Sequence, residues 1–221
     1  IRFDLMGILT KELIMDIYNA CIQLNPSFIM YGEGWNMPSM LPEYKRASIY
    51  NANEIPNIAF FNDFFRDIVS GKCFNNFSNT KGYMSGNTSL YFDFVKAMRG
   101  SVEKGCYFQN ASSSLNYCEC HDNFTLFDKL AISYLGKKEF SGDLFNAIGE
   151  EGLIEVKKQN TLSAAYIFLS QGTPFINGGQ EFLRTKQGDH NSYESNDTIN
   201  AIDLNFKTKY SDVYNTYKGL I

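Results

Sequence analysis

The stretch FIMYGEGW, residues 28–35, gives the clearest indication of the fold. In it, a short apolar run is followed by an acidic residue that lies between two glycines. Its first four residues predict a β-strand and the other four a loop. Before it, Thr10 caps a predicted helix from Lys11 to Leu24, whose apolar residues keep the three-four spacing of one buried face. The run IRFDL at residues 1–5 predicts an earlier strand. This alternation is typical of a parallel sheet covered by helices.

The alternation continues along the chain. Further strands are predicted at 58–61, 115–120 and 174–177, and further helices from Thr88 or Ser89 to Gly100, at 153–170 and from about 211. An acidic residue lies at or just past the end of each strand: Asp4, Glu33, Asp63, Asp122 and Glu181. In a barrel of alternating strands and helices, the carboxyl ends of the strands carry the active site. The sequence therefore predicts an α/β fold with carboxylates on one face.

The composition is that of a globular protein, and it disfavours nucleic acids and membranes as partners. Of 221 residues, 44% are hydrophobic and 20% are charged, which is typical of globular proteins. A net charge of −4 disfavours nucleic acid as a partner. No apolar run approaches the ~20 residues that cross a membrane, so no membrane partner is expected. The length of 221 residues allows one large domain or two small ones.

The cysteines do not predict disulfides or a metal site. There are five of them, an odd number in a chain that is not short, which disfavours a disulfide framework. The run CECH at residues 118–121 lacks the usual zinc spacing and a second cysteine pair. We therefore expect buried thiols and no metal ligands.

Three strand-end carboxylates fit the chemistry of glycoside cleavage: Asp4, Glu33 and Asp122. One carboxyl group protonates the leaving oxygen, and another attacks or stabilises the positive sugar carbon. Arg2 lies two residues before Asp4 on the same strand face, where its charge would keep Asp4 ionised. The single tryptophan, Trp35, could stack on a sugar ring. Any one carboxylate at a strand end is more often a helix cap or part of a loop salt bridge. The three together, with Arg2 and Trp35 beside them, favour a glycosidase more than any one does.

The motifs that contain these residues resemble those of a known enzyme family. The runs IRFDLMG (1–7), YGEGW (31–35) and ECHDN (119–123) resemble, in order, three signatures of glycoside hydrolase family 13, the alpha-amylase family. GTP (172–174) and GQE (179–181) resemble its motif at the eighth strand. GDHNSY (188–193), followed by Asp197 and NAID (200–203), resembles the type I pullulanase group of that family.

The resemblance implies a role for each matching residue. Asp4 matches the catalytic nucleophile, Glu33 the general acid/base and Asp122 the transition-state stabiliser. Substrate-binding roles fall to the residues that accompany them: Arg2, Trp35, His121 and Asp197. The implied reaction is retaining hydrolysis of α-1,6 branch linkages in α-glucans such as pullulan, starch, glycogen and limit dextrins. It needs no cofactor, and the calcium ion common in the family finds no acidic ligand loop in this segment.

Two departures from the family pattern qualify this prediction. Phe124 stands where the subgroup usually has a histidine two residues after the stabilising aspartate. The family's first motif and the first three strands would precede residue 1. The resemblance therefore implies the C-terminal part of a (β/α)8 barrel, roughly strands four to eight, active only in the complete barrel. We expect residues 1–221 to form this one partial catalytic domain, with no second domain. The sequence gives no cellular address.

Three alternatives remain open at this point. The chain could come from an isoamylase-like debranching enzyme or from an α-1,4 amylase. It could also be a non-catalytic α-glucan-binding relative, although the retained carboxylates Asp4, Glu33 and Asp122 disfavour that.

Overall fold

The computed structural model describes residues 1–73 and 78–221. The sequence after the third strand, rich in Asn, Ser and Gly, predicts a loop to about Asn87, and residues 74–77 of that loop lie outside the described residues. The chain divides into two compact units. The first unit comprises residues 1–62, 98–116 and 171–173, and the second comprises residues 63–97, 117–170 and 174–221. That residues 1–221 form a single domain stays a prediction.

A five-stranded sheet follows the order of the chain. Its strands are β1 (Arg2–Phe3), β2 (Met30–Gly32), β3 (Ile58–Phe61), β4 (Ser114–Asn116) and β5 (Thr173–Pro174). Strands β1 to β4 pair in parallel, with Phe3 opposite Gly32, and Gly32 opposite Phe60. Parallel neighbours separated by helical segments confirm the predicted α/β class.

Helices α1 to α8 connect and follow these strands. Their bounds are α1 (Lys11–Leu24), α2 (Asp63–Ser70), α3 (Tyr91–Met98), α4 (Leu126–Leu135), α5 (Leu144–Leu169), α6 (Asp197–Asn200), α7 (Asn205–Lys209) and α8 (Ser211–Leu220). Helix α1 has the predicted bounds, and the Thr10 hydroxyl accepts the Leu13 N–H at 3.1 Å as its N-cap. In the part of the chain that the structure describes, no helix is long and apolar enough to cross a membrane.

The core of the first unit lies around β2, β3 and the inner face of α1. Ile14, Met30, Ile58 and Phe60 are all within 1% of full burial. All four residues of β3 are buried, which is the pattern of a strand covered on both faces. This packing fixes the strands whose ends carry Asp4 and Glu33.

The core of the second unit joins α4, α5 and α8. The Phe127 and Phe145 rings stack at 4.1 Å, and Phe145 stacks in turn on Tyr210 at 5.3 Å. Tyr217 on α8 donates its buried hydroxyl to the Asn160 side chain on α5 at 2.8 Å. Helix α5 changes direction at Gly149, whose φ of 65° is left-handed, and the predicted helix 153–170 is the part beyond that kink.

The structure corrects several predicted elements. Four helices were not predicted: α2, α4, α6 and α7. The strand predicted at 115–120 is β4, Ser114–Asn116, and the strand predicted at 174–177 is β5, Thr173–Pro174. Asp63, predicted just past the end of a strand, is the first residue of α2, where it pairs with Arg66 at 2.6 Å.

Candidate active site

Two of the candidate carboxylates follow adjacent strand ends in the first unit. Asp4 comes directly after β1 and Glu33 directly after β2, and the parallel register places Phe3 opposite Gly32. The Glu33 N–H donates to the Phe3 carbonyl at 3.0 Å, and the Gly7 N–H donates to the Glu33 carbonyl at 2.8 Å. Backbone hydrogen bonds on both sides therefore fix the start of the Glu33 side chain.

Arg2 lies between the two carboxylates. Its Nη2 donates to Glu33 Oε1 at 2.6 Å and lies 3.6 Å from Asp4 Oδ1. The guanidinium also covers the ring of Phe61, 5.1 Å from its centroid. The sequence predicted Arg2 as the partner of Asp4, and the structure shows that its closer partner is Glu33.

The environments of the two carboxylates differ. The Asp4 side chain is 64% exposed, whereas Glu33 is 2% exposed as a residue. Burial raises the pKa of Glu33 above its ordinary value, and the negative charge of Asp4 raises it further. The Leu5 N–H, which donates to Glu33 Oε2 at 3.2 Å, and the charge of Arg2 lower this pKa and offset part of the rise. The pair thus combines a buried carboxyl group of raised pKa with an exposed one.

Trp35 lies in the loop after β2 and is half-buried. Close backbone packing fixes this loop. A Cβ on Gly34 would lie 2.4 Å from a ring carbon of Phe60, and one on Gly7 would lie 2.0 Å from the Trp35 carbonyl oxygen. Larger residues at these two glycines would therefore displace the chain around Glu33. That Trp35 stacks on a sugar stays a prediction.

The third candidate carboxylate, Asp122, lies in the second unit, in the loop between β4 and α4. Its Oδ1 is 3.3 Å from His121 Nε2, and the two side chains are 60% and 44% exposed. Phe124, the residue that departs from the family pattern, is buried, and its ring lies 5.6 Å from that of His190. A buried aromatic ring thus lies two residues after the exposed Asp122.

Asp197 opens the short helix α6 and is exposed. Asn196 caps that helix by accepting the Thr198 N–H at 3.1 Å. The Asp197 side chain is therefore not needed as the cap, which leaves it available to a ligand. Its predicted contact with the sugar chain is untested.

Two buried carboxylates in the second unit, Glu119 and Asp128, were not predicted as site residues. Glu119 accepts hydrogen bonds from the Leu126 N–H and the Asn177 side chain. Asp128 accepts them from the Lys186 and Gly188 N–H groups. Burial raises the pKa of both, that of Glu119 to about 7. An acidic residue inside an otherwise apolar run, as in YCEC at 117–120, was the available signal for Glu119.

Comparison with known proteins identifies the chain. No protein-family model matches it. The pullulanase of Bacillus subtilis (strain 168) is 34% identical over 223 residues, which cover 100% of this chain and 29% of that protein. The crystal structure of pullulanase complexed with maltotetraose from Anoxybacillus sp. LM18-11 has a TM-score of 0.86 and 39% identity over 99% of this chain. The chain belongs to the pullulanase family.

The pullulanase relatives are considerably longer than this chain. The chain spans 29% of the Anoxybacillus structure and 29% of pullulanase type I from Bacillus subtilis str. 168 complexed with maltose, which it matches with a TM-score of 0.87 and 33% identity. The predicted fold class, part of the barrel of such an enzyme, is thereby confirmed. The predicted relationship to type I pullulanases is confirmed as well.

Proposed function

We propose that this chain provides the catalytic carboxylates of an α-glucan debranching glycoside hydrolase. The observation that carries the proposal is the group formed by Arg2, Asp4 and Glu33. It joins a buried carboxyl group with a raised pKa to an exposed carboxylate through one guanidinium. A glycosidase requires such a division, because one carboxyl group must donate a proton while the other is ionised.

In the proposed reaction, Glu33 protonates the glycosidic oxygen as that bond breaks, and Asp4 attacks the anomeric carbon. A covalent glycosyl-enzyme forms, and the leaving sugar departs with the proton. Glu33, now ionised, takes a proton from water, whose oxygen displaces Asp4 and restores both carboxyl groups. Asp122 stabilises the positive charge on the sugar ring in both transition states.

The proposed substrates are branched α-glucans: pullulan, starch, glycogen and limit dextrins. The support is that solved relatives hold α-glucan fragments, maltotetraose in one and maltose in another. Arg2, Trp35, His121 and Asp197 are the proposed sugar contacts. The isoamylase of Pseudomonas amyloderamosa is 25% identical over 49% of the chain, so isoamylase-type debranching is the second candidate. Pullulan is preferred as the first substrate because pullulanases match over more of the chain.

Activity is proposed for a complete barrel. Tests of activity therefore use a complete-barrel protein, which here means residues 1–221 joined to the remaining strands that a (β/α)8 barrel requires. In that protein, Glu33→Gln should lower kcat on pullulan by about 10²–10⁴-fold, because an amide cannot protonate the glycosidic oxygen as the bond breaks.

A matched control is Glu54→Gln, since Glu54 is 61% exposed and pairs with Lys11 away from the strand ends. This control should keep wild-type kcat. Near-normal kcat in Glu33→Gln would remove Glu33 from the proposed site. The stereochemistry is tested by proton NMR of the first sugar released. A double displacement gives the α-anomer from an α-linked substrate, and an initial β-anomer would contradict it.

A further inference from the structure

Glu119 is a buried carboxylate between β4 and α4 that the proposed reaction does not use. It is 1% exposed. Its Oε2 accepts the Leu126 N–H, at the first residue of α4, at 2.8 Å. Its Oε1 accepts the Asn177 side-chain N–H at 3.0 Å. One carboxylate therefore joins the start of a helix to the segment that follows β5.

The segment between Glu119 and α4 carries His121 and Asp122, and its backbone is held at three consecutive carbonyl groups. Asn177 donates to the Cys120 carbonyl at 3.3 Å. Lys186 donates to the His121 carbonyl at 3.2 Å, and the Cys120 thiol lies 3.8 Å from the Asp122 carbonyl. The side chains of His121 and Asp122 stay exposed while their backbone is fixed.

We propose that Glu119, acting through Asn177 and the first turn of α4, is the positioning residue that orients the His121–Asp122 segment. The same Asn177 amide nitrogen donates to Glu119 and to the Cys120 carbonyl, so Asn177 links Glu119 to the backbone of this segment. Glu119 touches no reacting atom in this role. The inference rests on the proposed function, because orienting Asp122 matters for catalysis only if Asp122 acts on the sugar.

The test compares Glu119→Gln and Asn177→Ala in the complete-barrel protein. A group that acts in the transition state affects kcat more than KM when it is misplaced. A displacement of about 1 Å can cost about 10²-fold, so we expect a loss in kcat of roughly tenfold or more, with KM within about twofold of wild type. The matched control is Ser163→Ala, which removes a buried hydrogen bond within α5.

A second readout is independent of activity. Amide hydrogen exchange should become faster at residues 120–126 in Glu119→Gln, because glutamine has one acceptor oxygen where Glu119 accepts from both the Leu126 N–H and the Asn177 side chain. If the wild-type protein is inactive on every α-glucan, the proposed function fails, and exchange alone decides whether Glu119 holds the segment.

The outcomes separate positioning from stability. Selective loss of kcat in the two variants, with Ser163→Ala unchanged, supports the proposal. Wild-type kcat in both variants overturns it, as does an equal loss in all three proteins. Should Glu119→Gln fail to fold, the same criteria apply to Asn177→Ala, whose side chain is only half-buried. Unchanged exchange at residues 120–126 in a folded variant also overturns it.

Discussion

In the first unit, Glu33 is a buried side chain held by Arg2 and the Leu5 N–H, whereas in the second unit Asp122 is an exposed side chain on a fixed backbone. Both residues are proposed to act on the same sugar. The difference corresponds to their proposed roles. A proton donor needs an environment that shifts its pKa, while a charge stabiliser needs a fixed position and an ionised carboxylate.

Among the changes that test this difference, we expect the largest effect on activity from removing Arg2, which lies beside the buried Glu33. In the complete-barrel protein, Arg2→Met should lower kcat/KM on pullulan by about 10²–10³-fold, because it leaves Glu33 buried without its ionic partner. The pKa of Glu33 should rise further, since the guanidinium lowers it in the wild type. A general acid loses activity as the pH rises through its pKa, so the high-pH limb of the kcat/KM profile should move to higher pH.

The control for Arg2→Met is Arg99→Met, whose exposed pair with Glu103 lies in the same unit. Its pH profile should match that of the wild type. A high-pH limb that stays in place in Arg2→Met would show that Arg2 does not act on the proton of Glu33. The proton of Glu33 would then depend on burial and on the Leu5 N–H.

The two units also differed in how far the sequence predicted them. In the first unit, the amphipathic period gave the bounds of α1, and the apolar run at 58–61 gave β3. In the second unit, α4 was missed because it is buried on nearly every side, including Asp128 and Lys129, so it has no apolar stripe. Helix α2 was missed although its residues are amphipathic, because its eight residues make only about two turns directly after β3.

The candidate site was predicted as residue types in an order, not as contacts. The motifs identified Asp4, Glu33 and Asp122 as candidates. They could not show that Arg2 lies closer to Glu33 than to Asp4, because that depends on strand register and side-chain direction. Glu119 was passed over, since its function depends on Asn177, which is 58 residues away in sequence.

In the second unit, we expect the buried Glu119 to make stability depend on pH. Burial raises the pKa of Glu119 from an ordinary 4.5 to about 7, against opposing hydrogen bonds from Leu126 and Asn177 and the charge of Arg184. The folded protein therefore binds this proton more tightly than the unfolded chain. The contribution of Glu119 to stability is complete below pH 4.5 and is lost as the pH rises to about 7.

At about 1.4 kcal/mol for each pH unit, this loss amounts to roughly 3 kcal/mol. Urea unfolding of residues 1–221 across this range should show that Glu119→Gln has a smaller pH slope than the wild type. Ser163→Ala should keep the wild-type slope, because it removes no titrating group. An unchanged slope in Glu119→Gln would mean that Glu119 is ionised in the folded protein throughout this range. The carboxylate would then be stabilised by its hydrogen bonds and not by its proton.

The smallest expected effect concerns the exposed pair in the second unit. His121→Ala should change the free energy of unfolding by less than about 0.5 kcal/mol, because both side chains of the His121–Asp122 contact face water. Lys96→Met, which breaks the exposed pair with Asp93 in the same unit, is the matched control and should give a similarly small change. Urea unfolding of the two variants beside Arg2→Met measures the contrast directly, since Arg2→Met should cost more. A loss above about 1.5 kcal/mol in His121→Ala would mean that side-chain pairing holds the Asp122 loop. The distinction between a carboxylate held by its side chain and one held by its backbone would then fail.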